Sequence, residues 1–120
     1  MHLLDTSILV EIIRGTPMAE KIEQDLAWRE LMTTSVSAYE LLRGFNSPKT
    51  IEFLEKFIIL EFNKQAAVES AKIYSELKNK GQMINNSDIM IAGIVKANQG
   101  RLYTLDKDFS KISSLDAKIY

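Results

Sequence analysis

Short apolar runs along this chain alternate with longer stretches whose apolar residues recur at helical spacing, and that alternation predicts its elements. His2 to Asp5 reads as a brief buried strand, followed by a helix over about Ser7 to Arg14 that stops at Gly15. Pro17 suits the first turn of a second helix, Met18 to about Leu31, with Ile22, Leu26 and Trp28 among its apolar positions. Met32 to Ser35 is a second strand, and a helix over Val36 to Arg43 is closed by Gly44. Another helix opens after Ser47 and Pro48 and runs through Ile51, Phe53, Leu54 and Phe57. Phe57 to Phe62 supplies a third strand.

Asn63 caps the longest helix, about Lys64 to Lys80, whose Ala67, Ala71, Tyr74 and Leu77 share one face before Gly81 ends it. Asn85 to Ser87 cap a helix from Asp88 to about Ala97, Gly100 ends it, and Arg101 to Leu105 form a fourth strand. A helical turn near Phe109 and a strand at Ala117 to Ile119 complete the pattern. Strands alternating with helices imply an α/β sandwich around a parallel sheet, joined by right-handed crossovers.

Composition narrows the picture without changing it. The 120 residues fit one domain with a single core, and 46% hydrophobic with 26% charged residues are ordinary globular values. The absence of Cys excludes disulfides and thiolate zinc sites, which fits a reducing cytoplasm. The start, MHLLDTSILVEIIRG, has no basic leader, and no run approaches the ~20 apolar residues of a membrane span, so a soluble, cytoplasmic protein is expected. A net charge of −1 counts against a simple nucleic-acid clamp, but less against a metal-dependent nuclease, where bound cations invert the local field.

Candidate chemistry lies in Asp5, Glu40, Asp88 and Asp106, each at a junction between an apolar run and a helix or turn. An open α/β sheet gathers such junctions at the carboxyl ends of its strands, where clustered carboxylates ask for a hard divalent cation. Two such cations roughly 3.5–4 Å apart can clamp the attacking and leaving oxygens of a phosphodiester. Thr104 and Ser7 are placed to hydrogen-bond a ligating carboxylate or a metal-bound water.

Each acid also has a bland reading. Asp5, followed by Thr and Ser, is ordinary helix-capping chemistry. Glu40 has Arg43 and Arg14 as candidate ionic partners, and Asp88 stands at capping-box spacing from Asn85. Asp106 and Asp108 in LDKDF suit a turn. Arg14, Arg43, Lys96 and Lys107 are candidate phosphate contacts, with solvated surface charge as the default. His2, the one histidine, reads as a strand residue, so two-histidine acid/base catalysis is excluded. Neither a Gly-x-x-x-x-Gly-Lys phosphate loop nor a Gly-x-Ser-x-Gly elbow occurs.

LLDTSILVEIIRG, TSVSAYELLRG and INNSDIMIAGIVKANQGRLYTLDKDFSKI, in that order and spacing, resemble the PIN-domain ribonucleases, most closely the VapC-type toxins of toxin–antitoxin operons. The resemblance implies one PIN-like domain over 1–120, a three-layer α/β/α sandwich with a central parallel sheet. It implies that Asp5, Glu40, Asp88 and Asp106 hold Mg²⁺ or Mn²⁺ and activate the water that cuts RNA, with Thr104 at the family's Ser/Thr position. It further implies a homodimer inhibited by a cognate antitoxin protein, a structured RNA substrate and a 5′-phosphate product. Ser7 stands where many members have Asn, and Gly93 where Ala is usual.

Two rival readings remain. YTLDKDF resembles the strand-terminal Asp-x-Asp of haloacid-dehalogenase-like phosphatases, but only 14 residues follow Asp106, too few for the downstream Lys and acidic elements of that class. A non-catalytic α/β interaction module, with all four acids serving as caps, is separable by metal titration.

Overall fold

Leu3 and Leu4 are both fully enclosed, yet they belong to two different hydrophobic clusters, and this split defines the architecture. They lie on β1 (His2–Leu4), where successive side chains point to opposite faces, so a central strand buried on both sides reads as an unbroken apolar run. Each enclosed Leu contributes about 1.5–3 kcal/mol relative to exposure.

The computed structural model describes residues 1–27 and 29–120. In it β1 lies in a five-stranded, all-parallel sheet of order β3-β2-β1-β4-β5, with β2 Met32–Thr34, β3 Ile58–Leu60, β4 Arg101–Thr104 and β5 Ala117–Ile119. The helices are α1 (Thr6–Arg14), α2 (Pro17–Asp25), α3 (Ser35–Gly44), α4 (Pro48–Leu54), α5 (Lys64–Lys80) and α6 (Asn86–Ala97). On one face Leu3 and Leu102 pack with α5 and α6 through Ile73, Leu77, Ile91 and Ile94. On the other, Leu4 and Tyr103 pack with α1 to α4 through Ile8, Ile22, Leu41 and Leu54. These three layers are the expected α/β/α sandwich.

From β1 the chain steps outward to β2 and β3, then returns to the other side of β1 to form β4 and β5. The direction reverses between β1 and β4, and open α/β sheets bind ligands in the crevice outside the carboxyl ends of strands at such a switch point. Asp5 follows β1 and Asp106 follows β4, so both acids stand at this place.

Boundaries agree best where caps are explicit. Gly15 ends α1 with φ 63°, a left-handed conformation that costs glycine little, and its N–H bonds back to Ile12. The helix expected over Met18 to Leu31 instead ends at Asp25. The Asp25 carboxylate accepts from Lys118 Nζ (2.9 Å) and the Tyr120 hydroxyl (2.6 Å), and Arg29 donates to the Asp25 carbonyl (2.6 Å). Trp28, assigned to the same helix by its apolar character, lies outside the described residues. Among the described residues, no helix is long and apolar enough to cross a membrane.

Candidate acidic active site

Asp5 is 4% exposed and bonded on both oxygens. As the N-cap of α1 it accepts from the Ile8 N–H at 3.2 Å and from the Ser7 hydroxyl at 2.5 Å, both on Oδ1. Its Oδ2 accepts from Thr104 Oγ1 at 2.5 Å. The capping role is therefore real, but a cap alone needs no donor from β4. Parallel pairing of Leu4 with Tyr103 brings the next residues, Asp5 and Thr104, side by side. Burial pushes the Asp5 carboxyl up, against the three hydrogen bonds that favour its anion, and the charge of Asp106 pushes it further up.

Thr104 and Ser7 are relays as well as donors. Thr104 Oγ1 accepts from the Asp106 N–H at 2.9 Å, and Ser7 Oγ accepts from the Leu105 N–H at 3.0 Å. Both hydroxyls thus tie the turn after β4 to Asp5. Asp106 itself accepts from the Asp108 N–H at 2.9 Å and caps the 3₁₀ turn Lys107–Lys111. Asp108 pairs with Lys111 at 3.1 Å.

Asp88 lies in the first turn of α6, where the amino-terminal end of the helix favours an anion. Even so, its carboxyl is pushed up to about 7, by burial first and then by the charges of Asp106, Glu40, Asp5 and Asp108. The capping box suggested by spacing does not form, because the Asn85 side chain makes no cap hydrogen bond. The charges of Asp106, Glu40 and Asp5 are thus within electrostatic reach of Asp88.

Glu40 comes within this reach from α3, and its Oε1 accepts from the Thr6 hydroxyl at 2.6 Å. Its two candidate ionic partners lie elsewhere, with the Arg14 guanidinium 5.8 Å from the Phe45 ring centre and that of Arg43 5.3 Å from Tyr39. Among the described residues, no salt bridge includes Asp5, Glu40, Asp88 or Asp106. Lys96 donates to Ser114 at 2.6 Å, and its place in the last turn of α6 is about 12 Å along the axis from Asp88. His2 Nδ1 stands 2.7 Å from the Tyr103 hydroxyl, on a strand as expected.

Electrostatic reach is not yet a ligand sphere. Among the described residues, no three Asp, Glu or His side chains stand close enough to hold one ion. Local donors occupy part of the set, and unscreened carboxylates repel one another. The donor chemistry nonetheless fits a hard divalent cation, because it consists of carboxylate oxygens with hydroxyls behind them and holds no soft ligand. Thr6 was not singled out from sequence; the signal was present in DTS, three consecutive polar residues at a strand-to-helix junction.

A parallel three-layer sheet with Asp5 and Asp106 at its switch point, and with Glu40 and Asp88 in electrostatic reach of them, defines an α/β fold that carries acidic side chains beyond its strand ends. The PIN domain matches residues 2–115, and the chain belongs to that family. It is similar to ribonuclease VapC1 of Methanocaldococcus jannaschii, 26% identical over 98% of this chain and 85% of that protein. It is also similar to ribonuclease VapC1 of Haemophilus influenzae, 29% identical over 96% of this chain and 94% of that one. Among solved structures, VapBC2 from Rickettsia felis, bound to a DNA fragment from its promoter, superposes with a TM-score of 0.84 at 25% identity, covering 99% of this chain and 98% of that chain.

Proposed function

We propose that this protein is a divalent-metal-dependent endoribonuclease, the toxin half of a type II toxin–antitoxin pair, acting in the cytoplasm as one PIN domain over residues 1–120. The observation that carries the reading is Asp88, whose carboxyl is pushed up by burial first and then by the charges of Asp106, Glu40, Asp5 and Asp108, in a chain of the PIN family. So much like charge around one half-buried carboxylate is costly without a cation, and tolerating that cost is a mark of function.

Asp5, Glu40, Asp88 and Asp106 would hold Mg²⁺ or Mn²⁺ through their carboxylate oxygens. When bound, such an ion makes a water a better nucleophile and neutralises charge developing on phosphorus. Thr104 and Ser7 keep Asp5 in one orientation and fix the turn that carries Asp106. Asp88 is set by α6, whose Ile89, Ile91 and Ile94 are buried and leave the helix little freedom to move. Hydrolysis leaves a 5′-phosphate, and the substrate is a structured RNA.

Two apolar surfaces support protein partners. A groove of about 410 Å³ between α3, α4 and β3, lined by Ala38, Leu42, Ile51, Leu54, Phe57 and Ile59, suits an amphipathic segment of the antitoxin. Tyr39, 61% exposed, joins Val36, Phe62 and Met90 around a second depression of about 350 Å³, which supports a homodimer.

The test is cleavage of RNA in Mg²⁺ or Mn²⁺ by the wild type, Asp5→Asn and Asp88→Asn. Loss of cleavage in both variants is expected; undiminished activity in both removes the mechanism.

A further inference from the structure

Glu40 is carried by the middle of α3, and a Glu has one more side-chain torsion to fix than an Asp. Its orientation therefore needs an anchor. The Thr6 hydroxyl provides one by donating to Glu40 Oε1 at 2.6 Å across 34 positions of sequence. The cations that sequence offered, Arg14 and Arg43, sit over the rings of Phe45 and Tyr39 instead, and among the described residues no salt bridge includes Glu40.

The geometry points to Thr6 as a positioning residue for the proposed nuclease: its hydroxyl holds Glu40 Oε1 in place and leaves Oε2 as the oxygen for a cation or its water. The inference rests on the nuclease reading above and adds a residue to it. Thr6 opens α1 directly after Asp5, the cap of the same helix. One short element thus sets two acids at once, Asp5 through the cap and Glu40 through the adjacent hydroxyl. Enclosed Ile8 and Leu9 anchor the first turns of α1 that carry this donor. A carboxylate held before the cation arrives loses less freedom on binding it, which is the advantage of preorganisation.

Threonine carries a hydroxyl on a β-branched frame that valine reproduces without the donor. Thr6→Val therefore removes the hydrogen bond at nearly constant shape, Thr6→Ser keeps the donor, and Thr6→Ala is a second donor-free variant should valine disturb folding. Mn²⁺ affinity is measured by calorimetry on the full chain, alongside RNA cleavage, with circular dichroism confirming the fold. The expected result is about 10- to 100-fold weaker Mn²⁺ binding in Thr6→Val, the range typical when a ligand's supporting hydrogen bond is removed, with recovery in Thr6→Ser. In a Glu40→Gln background, Thr6→Val should cost nothing further, since it acts through Glu40.

Wild-type Mn²⁺ affinity in both donor-free variants overturns the assignment. So does a Thr6→Ser variant as impaired as Thr6→Val, or a full additional loss in the Glu40→Gln background. If the wild type binds Mn²⁺ yet cuts no RNA, the nuclease reading alone falls, and the Mn²⁺ affinities still decide Thr6. A wild type that binds no Mn²⁺ overturns both.

Discussion

Thr104 and Asp5, 99 positions apart in sequence, are joined by a 2.5 Å hydrogen bond from the threonine hydroxyl to Oδ2 of a carboxylate that is 4% exposed. The same hydroxyl accepts from the Asp106 N–H, so one buried oxygen links the two strand ends at the switch point. Thr104→Val keeps the shape and removes both contacts. Unfolding in urea should show a loss of about 1–3 kcal/mol, the usual consequence of stranding buried polar groups. RNA cleavage should fall by roughly 10- to 100-fold. A variant matching the wild type in both assays would make this contact incidental.

In the absence of divalent metal, stability should depend on pH through Asp88. Its carboxyl is pushed up from 3.8 to about 7, by burial and by the neighbouring acids. Between those values the unfolded chain has released the proton and the native chain still holds it. The native state binds more protons there, so stability falls as pH rises through that window and levels off above about pH 7. The slope from one group is no steeper than about 1.4 kcal/mol per pH unit. Asp5, also pushed up, acts in the same direction. Melting curves in EDTA from acid to neutral pH check this, and Asp88→Asn should flatten the dependence. A melting temperature that rises steadily toward neutrality would contradict the sign.

Divalent cations should reverse that penalty. Anything that binds the native state alone raises stability by mass action, by about 2.7 kcal/mol at a hundredfold excess over the dissociation constant. Thermal unfolding in millimolar Mg²⁺ or Mn²⁺ should therefore shift upward in the wild type, and less in Asp88→Asn or Asp5→Asn. Equal curves with and without the ions would favour the reading in which the acids serve only as caps.

The parts of this fold that were legible in sequence are those with local causes. α5 runs from Lys64 to Lys80 as expected, because Asn63 and Gly81 are explicit start and stop signals. The alternation of elements implied the layers, and Asp5 and Asp106 lie beyond the two strands at the switch point. What was not legible depends on distant residues. α2 ends at Asp25, whose side chain bonds Lys118 and Tyr120, 93 and 95 positions further on. Glu40 had two arginines as plausible partners, yet aromatic rings hold the arginines and a threonine from α1 holds Glu40. Spacing likewise suggested that Asn85 and Asp88 form a capping box, but Asn85 makes no cap bond, and burial followed by the charges of neighbouring acids sets the environment of Asp88.

Gly93 offers a test of the packing that fixes α6. A Cβ built there would stand 1.8 Å from Ser70 Oγ and 2.7 Å from the Ala66 carbonyl oxygen, so α5 and α6 approach more closely than an alanine permits. In an exposed helix Gly→Ala gains about 1 kcal/mol from propensity. Here the clash should outweigh that gain, giving a net loss of roughly 1–3 kcal/mol in chemical denaturation. Ser70 donates to the Ile89 carbonyl at 3.2 Å, one residue from Asp88, so displacing it should disturb the acid as well as the core. Adding Ser70→Ala should recover only part of the loss, because the Ala66 backbone oxygen remains in the way. Since α6 carries Asp88, Gly93→Ala should also lower cleavage; a variant more stable than the wild type would show that the two helices separate freely.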